Sequence, residues 1–487
     1  MKNENHDLIC YNTDRSLMSG IATMVVFPSS INEVKDIIFN SQNLVPRGLG
    51  ENIVGACVPN NSVVVDMKKM NKINFDFKTK LVQVDAGVTI KELNEKLKSI
   101  GYELPIIVDG TIGGGIAMNV PSLFGGYANI KEWIEEIEFV NGRGELVKFS
   151  RSDVGEICGF EGTTGIIVSA KLNVISYQEK SASIFQSNDI EEIFLIIKRL
   201  KLEKGIVMMR LYSPYFSNLL GFPRKYHIVI VFNNSSGKIK GEAFDLLIRK
   251  VRKDHYLMYK NGYSETEDPK LLFEKIKDFV IFLNKMAVPY SGDLNLGIIF
   301  PYFKNEIQKQ EVIKMIGRLN GKPGKYGIGI KRKNRVEDLQ KKIIKRVKMR
   351  HDPFLKMNVG KLIDMDSFED FKDKNVGKND NEGLGNVKSD NYVVSSAKGI
   401  VNSQRLLDTN DRPMNSQKTP EKDLDSFIQK MEQGEDSGNV KIGDNLDRSI
   451  SRAEEIPVDR KLMDKILFNK GPEDNENIGD KNEDNKN

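Results

Sequence analysis

The sequence predicts an α+β protein with two folded regions followed by a long polar tail. Strand-like and helix-like apolar patterns alternate through residues 11–364. Three glycine-rich segments interrupt the first part of this stretch, each between a strand-like run and another regular element. Beyond residue 364 polar residues dominate and aromatic residues nearly vanish. We therefore expect folded regions at 1–177 and 178–364, and a disordered tail at 365–487 that cannot bury enough apolar surface to fold.

The first region begins with a strand–helix–loop–strand pattern. Residues 21–27 are strand-like, and residues 29–40 carry apolar side chains at helical spacing, with Ser30 or Asn32 as the cap. A β-branched run at residues 62–66 provides the next strand. The pattern is typical of a βαβ-like unit.

The rest of the first region favours antiparallel pairing. Residues 72–77 and 81–84 alternate around a charged turn, as a hairpin does, and a helix is predicted at 90–100. Asn141-Gly142 separates two further apolar runs. Because both residues tolerate positive φ, this dipeptide predicts a second hairpin.

The second region alternates helices and strands. Helical patterns occupy residues 190–201, 242–252, 270–286 and 304–318. Strand-like runs include residues 208–212, 226–232 and 297–300. This alternation predicts a mostly antiparallel sheet with helices on one face.

Composition excludes several classes of function. The 73 basic and 68 acidic residues leave a net charge of +5, which is too balanced to indicate nucleic-acid binding. No apolar stretch has transmembrane length and the N-terminus is polar, so we expect a cytoplasmic protein without a membrane span. The three cysteines are far apart, so we expect neither an iron–sulfur cluster nor a metal site of the chain's own.

The three glycine-rich segments are residues 46–52, 110–119 and 161–167. Glycine lets the backbone approach a ligand closely, and concavities lined by N–H groups suit phosphate or pyrophosphate. Three such segments far apart in sequence indicate one extended ligand held at several points.

The order and context of these segments resemble the PCMH-type FAD-binding domain of the glycolate oxidase/D-lactate dehydrogenase family, within the vanillyl-alcohol-oxidase-like flavoproteins. The resemblance covers residues 11–175 and includes further landmarks at 25–28, 84–89 and 131–134. It implies that FAD lies between two lobes, at about 11–80 and 81–177. None of the four histidines falls within residues 11–177, so non-covalent binding is expected.

The resemblance implies a role for each glycine segment. The first would wrap the pyrophosphate, the second would line the phosphates and the flavin, and the third would hold the adenosine end. The cofactor-binding residues implied in this way are Pro46, Arg47, Gly48, Leu49, Gly50, Glu51, Asn52, Pro105, Thr111, Ile112, Gly113, Gly114, Ala117, Asn119, Glu161, Gly165 and Ile167. Glu51 departs from the family pattern, and its carboxylate must point away from a pyrophosphate because like charges repel.

The second region resembles, more faintly, the ferredoxin-like FAD-linked oxidase C-terminal domain of the same family. The remnants are residues 290–297, 325–329, 352–353 and 358–361. The family's histidine and glutamate positions hold Tyr290, Gly297, Lys325 and Tyr326 here. Since a free tyrosine has a pKa of ~10 and glycine has no side chain, the usual base and metal ligands are missing.

The leading hypothesis is an FAD-dependent oxidoreductase acting on CH–OH donors. It would oxidise a small hydroxy acid or alcohol by hydride transfer to flavin, with Lys325, Tyr326 or Tyr290 replacing the base. Asn295 would contact the substrate or the flavin edge, or only shape a turn. Electrons would pass to an external acceptor such as an iron–sulfur subunit, a quinone or oxygen.

Two alternatives follow from the same residues. The first is a catalytically degenerate flavin-binding subunit of a glycolate-oxidase-like complex, which the missing histidines favour. The second places the main role in the tail at 365–487, as a binding module. The sequence does not specify the substrate.

Overall fold

The computed structural model describes residues 8–201 and 203–364, together with Phe368 and Glu454–Glu455. The predicted tail lies outside the described residues apart from those last three, so its disorder stays a prediction. The helices are α1 (Ile31–Asn40), α2 (Ile90–Ser99), α3 (Ile112–Met118), α4 (Ile190–Leu200), α5 (Pro214–Leu219), α6 (Gly241–Val251), α7 (Asp254–Lys260), α8 (Phe273–Lys285), α9 (Glu306–Arg318) and α10 (Asp338–His351).

The strands of the described residues belong to four sheets. In chain order they are β1 (Ile21–Val26), β2 (Leu44–Arg47), β3 (Asn60–Asp66), β4 (Ile73–Asp76), β5 (Leu81–Asp85), β6 (Tyr102–Glu103), β7 (Ile134–Asn141), β8 (Leu146–Ser150), β9 (Gly165–Asn173), β10 (Ile175–Ser176), β11 (Ser181–Ser187), β12 (Ile206–Tyr212), β13 (Tyr226–Phe232), β14 (Glu265–Thr266), β15 (Pro269–Lys270), β16 (Tyr290–Asp293), β17 (Ile298–Phe303), β18 (Lys322–Pro323) and β19 (Glu454–Glu455). The mixture of sheets and helices confirms the predicted α+β class.

The first sheet is a small parallel one, in the order β1-β3-β2. Helix α1 begins after Ser30, whose side chain accepts the N–H of Glu33, and it buries Val34 and Ile38. The predicted strand–helix–loop–strand unit is confirmed, with β2 as an additional strand. The first glycine segment begins on β2 and continues past its carboxyl end.

The second sheet is antiparallel, in the order β4-β5-β9-β7-β8. Strand β4 pairs with β5, as the predicted hairpin requires. The boundary between the two lobes therefore falls before β4, rather than near residue 80. Helix α2 begins with a capping box in which Thr89 and Glu92 exchange hydrogen bonds.

The second predicted hairpin is confirmed, since β7 pairs with β8, but the conformation of its turn differs from the prediction. The positive φ falls on Gly144 (+81°), not on Asn141 or Gly142. The side chain of Asn141 instead closes the turn by accepting the N–H of Glu145 at 3.0 Å. Glycine at 142 serves close packing, because a Cβ there would lie 2.2 Å from Oδ1 of Asp352 at the end of α10.

The largest sheet runs β18-β15-β17-β16-β12-β13-β11-β19, with β14 paired to β17, and its pairings are antiparallel. Helices cover both of its faces, not one as predicted. Met208 of β12 belongs to the core that contains Phe244 of α6. The next residue, Met209, belongs to the core that contains Phe279 of α8. Successive side chains of a strand point to opposite faces, so both faces must be buried.

Helix α10 and the chain after it return to the first two sheets. Lys348 of α10 donates to the carbonyl oxygen of Thr163 at 2.7 Å. Met357 forms a β-bridge with Leu44 and belongs to the core around the five-stranded sheet. The last part of the predicted second region thus completes the first one, and the division at residue 177 stays a prediction.

Candidate functional site

One cavity is lined by all three glycine segments and by residues of the large-sheet region. The predicted cofactor residues that line it are Pro46, Arg47, Gly48, Leu49, Gly50, Glu51, Asn52, Thr111, Gly113, Gly114, Ala117, Glu161, Gly165 and Ile167. Segments separated by more than a hundred residues thus share one wall, as expected for a single extended ligand.

Three predicted cofactor residues lie outside this lining. Ile112 is fully buried in the core beneath α3. Asn119 ends α3 in the left-handed conformation at φ +46°, and Pro105 is buried. The structure does not bring these three residues to the surface of the cavity.

The first segment offers backbone donors to the cavity. Within the described residues, the N–H groups of Leu49, Gly50, Glu51 and Ile53 donate no hydrogen bond to protein. The loop is shaped instead by Asn52, whose Oδ1 accepts the N–H groups of the residues at 54 and 56. Uncommitted N–H groups along a glycine loop suit the oxygens of a pyrophosphate.

Glu51, which departs from the family pattern, forms an ion pair that compensates its charge. Its carboxylate lies 2.7 Å from Nη1 of Arg15. The ion pair compensates the negative charge that would otherwise repel a pyrophosphate.

The second segment contributes space rather than free donors. The N–H groups of Ile112 and Gly113 already bond to the carbonyl oxygens of Val88 and Ala86, at 2.8 and 2.9 Å. A Cβ at Gly114, however, would meet only Oγ1 of Thr111 within 4 Å. The missing side chain therefore leaves room for close approach by a ligand, and on this geometry the site fits FAD.

The third segment reaches across the cavity to the large-sheet region. Oε1 and Oε2 of Glu161 accept the N–H groups of Ile328 and Gly329, at 2.7 and 2.8 Å. Burial raises the pKa of Glu161 to about 7, although those two hydrogen bonds oppose the shift. The side chain predicted at the adenosine end thus already holds two protein donors.

The other wall carries Lys325 and Tyr326, as predicted, together with Arg210, Asp254 and His255. Arg210 and Asp254 form a buried ion pair, with Nη2 and Nε at 2.6 and 3.2 Å from Oδ2. Burial raises the pKa of Asp254, and the guanidinium opposes that shift. The pair fixes the orientation of Arg210 beside the cavity.

Lys325 is the cation of this wall that forms no ion pair within the described residues. Burial, with Arg210 as the next cause, lowers the pKa of Lys325 to about 8. Asp293 and Asp254 oppose the shift by attraction. A substantial neutral fraction of the amine is therefore present near pH 8, as a general base requires.

Tyr326 and His255 pack beside Lys325. The rings of Tyr326 and His255 meet edge to face, with centroids 4.9 Å apart. Nε2 of His255 is buried without a hydrogen-bond partner in the described part of the chain. Burial lowers the pKa of His255 well below its usual value, and Lys325, Arg15 and Arg210 add to the shift. His255 is thus held neutral.

Tyr290 and Asn295 do not reach the cavity. Tyr290 is fully buried in the core on the α8 face of the large sheet, and burial raises its pKa well above the usual value. Oδ1 of Asn295 accepts the N–H of Met209 at 2.5 Å. The structure thus favours the turn-shaping role for Asn295, and neither side chain is carried into our proposal for catalysis.

Three residues of this wall were not predicted from the sequence: Arg210, Asp254 and His255. A signal existed for Arg210, because a charged residue within the apolar run of β12 needs a buried partner. Nothing comparable marked Asp254 and His255, which lie on the short helix α7 in a polar stretch.

Among the described residues, no group of three or more His, Cys, Asp or Glu could hold a metal ion. No helix in that part of the chain is long and apolar enough to span a bilayer.

The first region matches a known cofactor-binding domain. Residues 22–150 match the family model described as FAD binding domain. Solved alkyldihydroxyacetonephosphate synthase shares the fold, with a TM-score of 0.57 at 17% identity, covering 73% of this chain and 81% of that one. The first region thus contains an FAD-binding domain, and FAD is the cofactor.

Curated relatives include hydroxy-acid dehydrogenases. D-2-hydroxyglutarate dehydrogenase of Xanthomonas citri pv. viticola is 28% identical over 174 residues, which are 31% of this chain and 36% of that protein. D-lactate dehydrogenase of Archaeoglobus fulgidus is 25% identical over 169 residues, which are 31% of this chain and 38% of that protein. The chain thus matches little more than a third of the length of these relatives.

Replacing Gly114 with leucine is expected to weaken FAD binding by about 10–100-fold, because steric overlap in a packed site costs about 1–3 kcal/mol. The side chain would enter the space where a Cβ meets only Thr111. The dissociation constant is measured by quenching of flavin fluorescence. Gly317→Leu is the matched control, since Gly317 lies in exposed helix α9 and a Cβ there meets nothing within 4 Å. Equal affinities for the two variants would contradict this location of the FAD site.

Proposed function

We propose that the protein is an FAD-dependent oxidoreductase that oxidises a small hydroxy acid or a related alcohol. The observation that carries the proposal is Lys325, which lies in the cavity lined by the three glycine segments, has a depressed pKa and forms no ion pair with any described residue. FAD, when bound, supplies the acceptor for the hydride. The residues of this chain bind and orient the substrate and move its proton.

We assign the cofactor to the glycine-segment wall. The pyrophosphate would be held by four N–H groups that donate no hydrogen bond to the described residues, those of Leu49, Gly50, Glu51 and Ile53. The open space at Gly114 would admit the flavin side. Non-covalent binding is consistent with the positions of the histidines, none of which lies within residues 11–177.

We assign the base to Lys325 and the substrate anchor to Arg210. Neutral Nζ of Lys325 would take the hydroxyl proton as the carbon–hydrogen bond is broken. Arg210 uses Nε and Nη2 for Asp254, which leaves Nη1 as a donor for a substrate carboxylate. Tyr326 and His255 pack their rings together on this side, where they would limit the access of water.

The proposal is tested by anaerobic titration of the FAD-loaded protein with a panel of D- and L-2-hydroxy acids and simple alcohols. At least one donor is expected to bleach the visible flavin band, and the same acid without its hydroxyl group is the control. If dithionite reduces the flavin but no member of a broad panel does, the proposed reaction is wrong.

A second candidate is a catalytically degenerate FAD-binding subunit of a glycolate-oxidase-like complex. It is favoured by Tyr290 and Gly297, which stand where the family has histidines and contribute nothing to the cavity. In that case flavin reduction requires a partner, such as an iron–sulfur subunit. Turnover by the isolated chain with an artificial electron acceptor would exclude it.

A further inference from the structure

The two cavity residues Lys325 and Tyr326 lie on a loop that is anchored to the large-sheet region. The N–H of Tyr326 donates to Oδ2 of Asp268 at 2.6 Å. Arg332 pairs with Asp268 and donates from Nη1 to the carbonyl oxygen of Gly327 at 3.2 Å. These contacts fix the loop against its own sheet but not against the flavin wall.

The contact with the flavin wall is made by Glu161. Its two carboxylate oxygens accept the consecutive N–H groups of Ile328 and Gly329. Glycine permits this approach, because a Cβ at Gly327 would lie 2.6 Å from Oε1 of Glu161. The N–H of Ile330 extends the contact by donating to the carbonyl oxygen of Val54 at 2.9 Å.

Glu161 is itself fixed to the wall on which it stands. Its N–H donates to the carbonyl oxygen of Ala117 at 2.8 Å. Its carbonyl oxygen accepts Nδ2 of Asn358 at 2.7 Å. The residue as a whole is only 5% exposed. The carboxylate therefore cannot follow the loop independently of the third glycine segment.

We propose that Glu161 is a positioning residue, which ties the loop bearing Lys325 and Tyr326 to the wall that binds FAD. Movement of either wall is thereby transmitted to Lys325 through two charge-assisted hydrogen bonds. The catalytic consequence rests on the proposed function, whereas the tie itself does not. This assigns Glu161 to the loop rather than to the adenosine.

Glu161→Gln tests the tie directly. An amide has one acceptor oxygen, so one of the two loop N–H groups loses its partner and faces an NH₂ group. Amide hydrogen exchange at residues 328 and 329 is expected to accelerate by about 10–100-fold, since such bonds to a charged group contribute about 1.5–3 kcal/mol. Unchanged exchange there would overturn the proposal.

Glu156→Gln is the matched control. The Glu156 carboxylate also joins the first region to the returning chain, through His351 at 3.0 Å and through Arg350. It does not line the cavity. Exchange at residues 328 and 329 is expected to stay at the unmodified rate in this variant. Acceleration of the same size in both variants would show a general loosening and would contradict a specific tie.

The unmodified protein provides a test that does not depend on the variant folding. Burial raises the pKa of Glu161 to about 7, and the charged groups that face it, Arg332 and Lys361, oppose that shift. Below pH 7 the carboxyl gains a proton and becomes a poorer acceptor. After correction for the intrinsic pH dependence, protection at residues 328 and 329 is expected to fall below pH 7. Constant protection from pH 5 to 9 would argue against the proposal.

The catalytic readout separates the two proposals. In Glu161→Gln we expect flavin to remain bound and kcat to fall. We also expect the inflection of the kcat/KM–pH profile that reports the pKa of Lys325 to move to higher pH, because a looser loop admits water to the amine. Faster exchange without any hydroxy-acid turnover in the unmodified protein would keep the tie and reject the proposed function. Turnover with the same kcat and inflection in this variant would reject the positioning role and keep the proposed function.

Discussion

Lys325→Met is expected to lower kcat by about 10²–10⁴-fold, which is the usual contribution of a general base. Methionine resembles lysine in length but cannot take a proton. Burial and Arg210 lower the pKa of Lys325 to about 8, so the wild-type amine can act near neutral pH. Flavin content is expected to be unchanged, because the N–H groups that we assign to the pyrophosphate lie on the first glycine segment and not on the loop of Lys325. Steady-state kinetics with any donor that bleaches the flavin measures the loss.

The assignment of Lys325 as the base also predicts how kcat/KM changes with pH. The amine works only when neutral, so kcat/KM is expected to rise with pH through about 8 and to level off above it. This rise should be absent from Lys325→Met. Lys322→Met is the control, since Lys322 is exposed on the edge strand β18 of the same sheet. A profile that falls through this pH range, or one unchanged in Lys325→Met, would contradict the assignment.

Arg210→Met is expected to lower the free energy of unfolding by about 3–5 kcal/mol, because it leaves Asp254 as an uncompensated buried charge. The side chains of Arg210 and Asp254 are 5% and 3% exposed, so water cannot replace the lost partner. Urea denaturation of the apoprotein measures the change. Lys314→Met removes an exposed ion pair with Glu311 and is expected to change stability by less than about 1 kcal/mol.

The double variant Arg210→Met/Asp254→Asn identifies the cause of this loss. Removing the negative charge should recover part of the stability, because an amide is less costly to bury than an unpaired carboxylate. If the double variant is no more stable than Arg210→Met, lost packing rather than charge explains the effect. In either variant, loss of the guanidinium should also raise KM for an acidic donor more than for an uncharged alcohol.

Local features of the fold were predictable where the chain's own neighbours determine them. Ser30 and Thr89 cap helices because their hydroxyl groups accept N–H groups three residues ahead. The hairpin at Asn141-Gly142 was predicted correctly but for the wrong reason, because glycine is needed at 142 for a tertiary contact. That contact is the close approach of Asp352, which is more than two hundred residues away.

The site divides in the same way. The glycine segments were predicted from their own residues and Lys325 from the family resemblance, and all of them line the cavity. Whether Tyr290 reaches the cavity depended instead on which face of β16 meets it. Side chains alternate along a strand, so Ser291 contacts Arg210 while Tyr290 enters the opposite core. A single sequence does not specify that register. Asp254 and His255 join the site only because the sheet brings α7 to it.

The first region is synthesised early, but its core is completed by residues that are synthesised much later. Residues 8–177 leave the ribosome first, yet the core around their five-stranded sheet includes Met357, and β2 is bridged at Leu44 by that same residue. Contacts of such sequence separation form late, because a long loop must close before they are gained. The core around the five-stranded sheet is therefore complete only when the chain up to Met357 is available to it.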